Sequence, residues 1–420
     1  MVKRISRRSA LKAGFAAGAG SFLAAMPGVV RAQNRPIKIG TTSIFSGRVA
    51  QLGISVKNAL LLEFEAFNAA GGFNGRKIEL IDRDSKGRPE EAARLTRELI
   101  ESEGCEIILS GEASGSSFAV HEVARASNVL CIHAISETTQ LTADPKLRSP
   151  NTFRTARQAL HDSIVGGSFA AKLAKEKGFT RWATISADYA YGREATPEFM
   201  SYVEAGGAKV ELVVEAWPKL FQPDYTENIT KILQAKPQAM FCGLWGGDLV
   251  AFIDQGNLFG LFEQVQVFSI HMADYTTLTA VKKLPSSGVY SSNRYVSAFP
   301  DRSENVAWSN AYAKRFNTRP TNWSWEADTS ARFLIEAIRS SGSAEPAKLA
   351  AAIKGRQVAS PVGMRDGKIL MRAEDQTIVD YALGWGRIVA KEPYLIDIQP
   401  ANWTEIAQLE TEWKKRKGYV

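Results

Sequence analysis

The chain has 420 residues, with 52 Lys and Arg against 44 Asp and Glu, for a formal net charge of +8. That length is too great for one ordinary domain and suits two, each able to bury its own core. Six of the basic residues, Lys3, Arg4, Arg7, Arg8, Lys12 and Arg31, fall in the first 32 positions with no acid beside them. The remainder carries only +2, which gives no support for a nucleic-acid surface.

Residues 1–32 read as a twin-arginine signal peptide. Ser6-Arg7-Arg8-Ser9-Ala10-Leu11-Lys12 has the twin-arginine layout, and a weakly hydrophobic Gly/Ala-rich run broken by Pro27 follows it. Removal after Val30-Arg31-Ala32 is expected, because the run is short and interrupted for a membrane anchor. The expected location is the periplasm.

From Ile37 onward, strand-like runs alternate with helical ones. Strands are predicted at 37–40, 78–81, 107–109, 129–132, 182–185, 210–214, 239–242 and 265–269, with helices at 56–67, 90–101, 119–127, 163–177, 195–205, 226–234 and 249–257. The first helix stops at Gly71-Gly72, Asn74-Gly75 makes a turn, and Lys77 to Leu80 alternates as a strand. Alternation of this kind predicts α/β architecture with parallel sheets covered on both faces. Breaks at 149–154, 285–288 and 359–363 interrupt it, with helices predicted at 305–316 and 324–339 and strands at 368–371, 382–384 and 388–390. Three breaks imply two discontinuous lobes: residues 33–155 with 291–357, and residues 156–290 with 358–420. A hinge between two such lobes makes a cleft.

The three cysteines, Cys105, Cys131 and Cys242, each sit at or within an apolar run, so no disulfide framework is expected, although a bridge between Cys105 and Cys131 is left open. Signals for chemistry are weak. Gly243-Leu244-Trp245-Gly246-Gly247 lacks the dinucleotide fingerprint, His121-Glu122 lacks a second histidine four residues on, and Gly111-Glu112-Ala113-Ser114-Gly115 has its serine off centre for a nucleophile elbow. Asp82 and Asp84 share a strand face, yet such residues more often cap the following helix. No cofactor, metal or catalytic role is expected.

In this order the chain resembles the type I periplasmic binding proteins, in particular the leucine/isoleucine/valine-binding family that feeds ABC importers. Besides the segment at residues 68–84, the resemblance rests on Ser46-Gly47 with Ala50-Gln51-Leu52-Gly53, Tyr191-Gly192, Asp224-Tyr225-Thr226 and Asp375-Gln376. It implies two doubly wound parallel-sheet lobes joined by a three-segment hinge. It also implies a monomer that closes over a small-molecule ligand and docks on ABC permease subunits in the inner membrane, with no nucleic acid involved. The family's carboxylate-holding turn falls on Ser114-Gly115-Ser116, its second contact loop on Ile135-Ser136-Glu137, and its ligand-facing aromatics on Tyr191 and Trp245, with Leu52 on the apolar wall. A Ser/Gly turn suits an anion, since it presents backbone N–H groups and hydroxyls at a helix N-terminus.

The acid that pairs with an amino-acid ammonium aligns with Met272, which leaves two readings. Asp274 or Glu137 supplies the carboxylate, or the ligand is an aromatic or aliphatic acid with no ammonium. A sensory protein of the same fold is the nearest alternative to transport, and a cofactor-dependent oxidoreductase exported by the twin-arginine route is a remoter one.

Overall fold

The computed structural model describes residues 35–285 and 288–420. The signal peptide expected at 1–32, and Ser286 and Ser287 of the second break, lie outside the described residues. Strands β1 (Ile37–Ser43), β2 (Ile78–Asp84), β3 (Ile107–Ser110), β4 (Leu130–His133) and β5 (Thr152–Arg154) form a parallel sheet ordered β2-β1-β3-β4-β5. Strands β6 (Arg181–Ile185), β7 (Glu211–Ala216), β8 (Ala239–Cys242), β9 (Gln266–Ser269) and β10 (Val289–Ser292) form the parallel part of a second sheet. A small antiparallel sheet holds β11 (Gln357–Ala359), β12 (Lys368–Met371) and β13 (Ile378–Val379). Finally β14 (Gly384–Ile388) and β15 (Leu395–Pro400) add antiparallel to the second sheet, whose order is β15-β14-β10-β9-β8-β6-β7. Strands β3 and β8 are buried at every residue, as expected where helices cover both faces.

The glycine-rich segment folds as its residues dictate. The helix Ala50–Ala69 ends where Gly71 and Gly72 take φ of 99° and 68°, values that a side chain would strain. Asn74 and Gly75 then adopt φ of 50° and 80° between Phe73 and Arg76, which exchange two backbone bonds of 2.9 Å. Asn68 clamps the return, its side chain both accepting from Ile78 N at 2.7 Å and donating to Ile78 O at 2.8 Å.

The chain passes between the two bodies at 155–158, 293–302 and 380–383, and these connections are bonded together. Tyr381 Oη accepts from Gln158 N at 3.1 Å, while Asn293 and Gly384 exchange bonds through Asn293 N, Asn293 Oδ1 and the Gly384 backbone. The third passage therefore lies later than the expected break at 359–363. Ser360, Pro361 and Gly363 instead turn the chain between β11 and β12, with Gly363 N bonding Ser360 O at 3.1 Å. Val358, Ile369 and Ile378 of this small sheet pack into the same core as Leu109 and Leu130.

Strand β15 and the helix Trp403–Lys417 are unexpected from the sequence. Only Ile406, Glu410 and Trp413 of that helix are buried, so its charged exterior masks the apolar stripe. Cys105, Cys131 and Cys242 are all buried free thiols, so the bridge left open between the first two does not form.

Candidate functional site

Ligands of open α/β sheets sit beyond the carboxyl ends of the strands, and residues following those ends in both sheets meet here around one small cavity. Beyond β3, Ala113 and Ser114 open the helix Ser114–Ser127, whose N-cap residue makes no side-chain capping bond. Beyond β4 come Ile135 and Glu137. The second sheet supplies Tyr189 and Tyr191 after β6, Trp245 after β8 and His271 after β9. Leu52 and Trp323 complete the lining, each from the first turn of a long helix. Free space within is ≈ 30 Å³, about the share of one water. A ring-sized solute needs more room than this cavity holds.

Of the residues expected from sequence, Leu52, Ser114, Ile135, Glu137, Tyr191 and Trp245 are brought together. The other five are not at the cavity wall. Gly115 lies one step back, where an added Cβ would be 3.9 Å from the Tyr189 ring. Ser116 is buried in the helix, and Ser136 is buried with its hydroxyl unpartnered.

Met272 and Asp274 are corrected outright. Met272 packs into the core of the second sheet with Leu244, Leu249 and Phe252, while the turn closed by the 3.1 Å bond from Asp274 N to His271 O leaves His271 on the cavity side. Asp274 caps the helix Tyr275–Ala280, accepting from Thr276 N at 2.9 Å. Sequence reasoning missed Ala113, Tyr189, His271 and Trp323. A one-residue shift of the strand end signals His271, whereas Trp323 has no local signal at all.

The polar side of the cavity is a charge network. Glu137 accepts from both terminal nitrogens of Arg294. Arg294 Nη1 also lies 3.6 Å from Asp162, and Asp162 accepts from Arg157 Nε and Nη2 at 2.9 and 2.6 Å. These four side chains are buried, and their formal charges cancel in two pairs. Burial pushes Glu137 upward while Arg294 opposes it. Next to them Glu326 is raised well above the usual carboxylate range by burial and by Glu137. Burial, reinforced by Arg294 and Arg157, drives His271 well below the usual imidazole range, so it is neutral. Its Nε2 is 2.8 Å from the Tyr191 hydroxyl.

Above the cavity Tyr189, Trp245 and Trp323 form an aromatic wall, with Trp245 6.3 Å from Trp323 and 6.4 Å from Tyr189 between ring centres. Outside Trp323 an open cleft of ≈ 570 Å³ runs between the two bodies. At its edge Arg48 bridges from the first body to Gln222 O at 3.0 Å and Gly247 O at 2.8 Å on the second.

A family model described as "Periplasmic binding protein" matches residues 36–383. The chain belongs to this family. Among curated relatives of this binding protein, the Leu/Ile/Val-binding protein homolog 4 of Brucella abortus is 27% identical over 267 residues, covering 60% of this chain and 61% of that one. The match thus spans less than two thirds of that relative. The leucine-, isoleucine-, valine-, threonine- and alanine-binding protein of Pseudomonas aeruginosa is 25% identical over 330 residues, 78% of this chain and 84% of the other. Among solved structures, an ABC-transporter solute-binding protein of Rhodopseudomonas palustris in complex with 3,4-dihydroxybenzoic acid superposes with a TM-score of 0.78. It is 26% identical and covers 88% of this chain and 98% of its own. LivJ of Streptococcus pneumoniae, solved with isoleucine, shares the fold at 18% identity and a TM-score of 0.74, over 87% of this chain and 99% of its own. These neighbours agree with the expected class, an α/β protein of the type I periplasmic binding kind.

Proposed function

We propose that this binding protein captures a small carboxylate-bearing solute that lacks an ammonium group, foremost an aromatic acid, and hands it to the permease of an ABC importer in the inner membrane. The observation that carries this reading is the charge balance at the cavity. Among the described residues Glu137 is the only carboxylate lining it, and Arg294 already pairs with both of its oxygens. An incoming ammonium would be buried beside a network whose charges cancel, at a desolvation cost that nothing there offsets. A carboxylate fares better at the uncapped N-terminus of the helix Ser114–Ser127, where the first-turn N–H groups and the Ser114 hydroxyl serve as donors. The aromatic wall suits a flat ring. The Rhodopseudomonas protein bound to 3,4-dihydroxybenzoic acid supports an aromatic acid as a ligand class open to this fold, beside the amino acids that other relatives take.

In this reading the bodies built on the two large sheets are the lobes, the three connections between them are the hinge, and residues 1–32 direct export to the periplasm. Titration of the mature protein with benzoate, 4-hydroxybenzoate, leucine and isoleucine tests the ligand class. Binding of the acids alone is the expected outcome, and binding of the amino acids alone overturns it. Ser114→Ala is expected to weaken acid binding about tenfold with the melting temperature nearly unchanged. Uptake of labelled acid by cells lacking the protein tests the transport role, and undiminished uptake removes it.

A further inference from the structure

An acid that enters the cavity brings a negative charge to a network that is already neutral. Ser114 Oγ accepts from Thr138 N at 3.2 Å, so the loop that carries Glu137 lies against the Ser114 turn. Ser114 and Glu137 are both buried and line the same small cavity. A ligand carboxylate seated at that turn therefore has the Glu137 carboxylate as its neighbour, where little water screens one from the other. Two carboxylates crowded into one buried site cannot both ionise without a large penalty. Both Glu137 oxygens accept from the Arg294 guanidinium, the geometry of an ionised carboxylate. Arg294 and Arg157 are thereby matched one for one by Glu137 and Asp162. The N-terminus of the helix Ser114–Ser127 offsets only about half a charge.

The other titratable groups facing this pair supply no cation. Glu326 and Asp274 are carboxyls, and Tyr189 and Tyr191 are phenols. His271 is held neutral by burial and by the two arginines. Behind the loop Glu194 accepts from Thr138 and Thr139 and is faced by Arg154, a further matched pair. We infer that the acid is captured together with one proton, which Glu137 takes from solvent and donates in a hydrogen bond to the ligand carboxylate. Glu137 then changes from an acceptor-only carboxylate to a carboxylic acid with one O–H, and its other oxygen still accepts from Arg294. The ligand replaces it as the second anion, so two cations again face two anions. Burial already pulls the Glu137 carboxyl upward against Arg294, and the charge of the ligand acts in the same direction. The inference rests on the carboxylate reading above and adds to it a proton as co-ligand.

Calorimetric titration of the mature protein with benzoate at about pH 7.5, repeated in two buffers of different ionisation enthalpy, counts the protons. Uptake of about one proton per benzoate is expected, and the dissociation constant should rise by up to about tenfold for each pH unit above 7. In Glu137→Gln, which is neutral at every pH, uptake is expected to vanish and the affinity to become flat with pH. In His271→Gln each benzoate bound is expected to bring the same proton as in the parent. Because Glu137→Gln also removes the partner of Arg294, a thermal melt checks its fold, and the proton counts of the parent and of His271→Gln decide if it unfolds. Benzoate binding without proton uptake, or uptake lost in His271→Gln, overturns the proton on Glu137 while leaving the carboxylate reading intact. Binding of leucine with no acid bound overturns both.

Discussion

Glu112 shows how a single residue behind the ligand turn responds to pH. It lies between β3 and Ala113, is fully buried, accepts from Ser85 Oγ at 2.9 Å through one oxygen and leaves the other unpartnered. Burial raises its carboxyl from 4.5 to about 7, with Ser85 opposing and Asp84 adding to the rise. A raised carboxyl means that the folded state holds its proton more tightly than the unfolded chain. Its stabilising effect is therefore complete below pH 4.5 and is lost as pH rises toward 7, at about 1.4 kcal/mol for each unit in that window. Glu112→Gln is expected to remove this loss. In urea unfolding the variant should gain stability relative to the parent on going from pH 5 to pH 8, and an unchanged difference refutes the assignment. Residues of this kind were legible from sequence only by position. Ser114 and Glu137 follow from the strand ends, but whether Glu137 meets an ammonium or an arginine is settled by Arg294, distant along the chain. Met272 was read one place too far because the chain turns after β9, where Asp274 N bonds His271 O at 3.1 Å, and strand periodicity no longer decides which side chain faces the cavity.

Among the elements, the helices Ala159–Lys177 and Ala190–Ala205 meet through glycine. A Cβ on Gly167 would stand 2.6 Å from Tyr202 Cβ and 2.7 Å from Phe199 O, the second of these being backbone that no side-chain rotation relieves. Gly167→Ala is expected to cost about 2 kcal/mol, seen as a lower urea midpoint with an unchanged slope. Ser168→Ala next to it is only partly buried and should stay within about 0.5 kcal/mol. The same close packing sets Glu194, on the second turn of the second helix, against the first body, where it accepts from Thr139 N at 2.8 Å. Most helices were legible because their stops are local: Gly178 and Gly342 each take a left-handed φ at a helix end. The small sheet was not, since a Pro/Gly turn within a hairpin and one between lobes use the same residues.

At the scale of the whole molecule, closure depends on bonds that exist only when the two bodies meet. Arg48 is the clearest, because it touches Gln222 O and Gly247 O across the mouth and does not line the inner cavity. Gly247 admits it closely, an added Cβ standing 3.0 Å from Arg48 O. Arg48→Ala is expected to raise the ligand dissociation rate about fivefold and leave the association rate within about twofold, since entry occurs before the bridge forms. Stopped-flow measurement separates the two, and a slower association with unchanged release contradicts a closing role. Three further contacts bind the hinge itself: Arg157 with Asp162, Asn293 with Gly384, and Tyr381 with Gln158. None of these residues lines the inner cavity.

The sequence by itself determined the alternation of strands and helices, the double-glycine stop, the family, and the turn at Ser114. All of these are governed by backbone geometry and periodicity within a dozen or so residues. Tertiary structure alone decided that His271 and not Met272 reaches the cavity, that Trp323 divides it from the outer cleft, and that Arg294 neutralises Glu137. Those outcomes depend on burial and on charge pairing between residues far apart along the chain, whose energies exist only after the sheets have packed and water has been excluded.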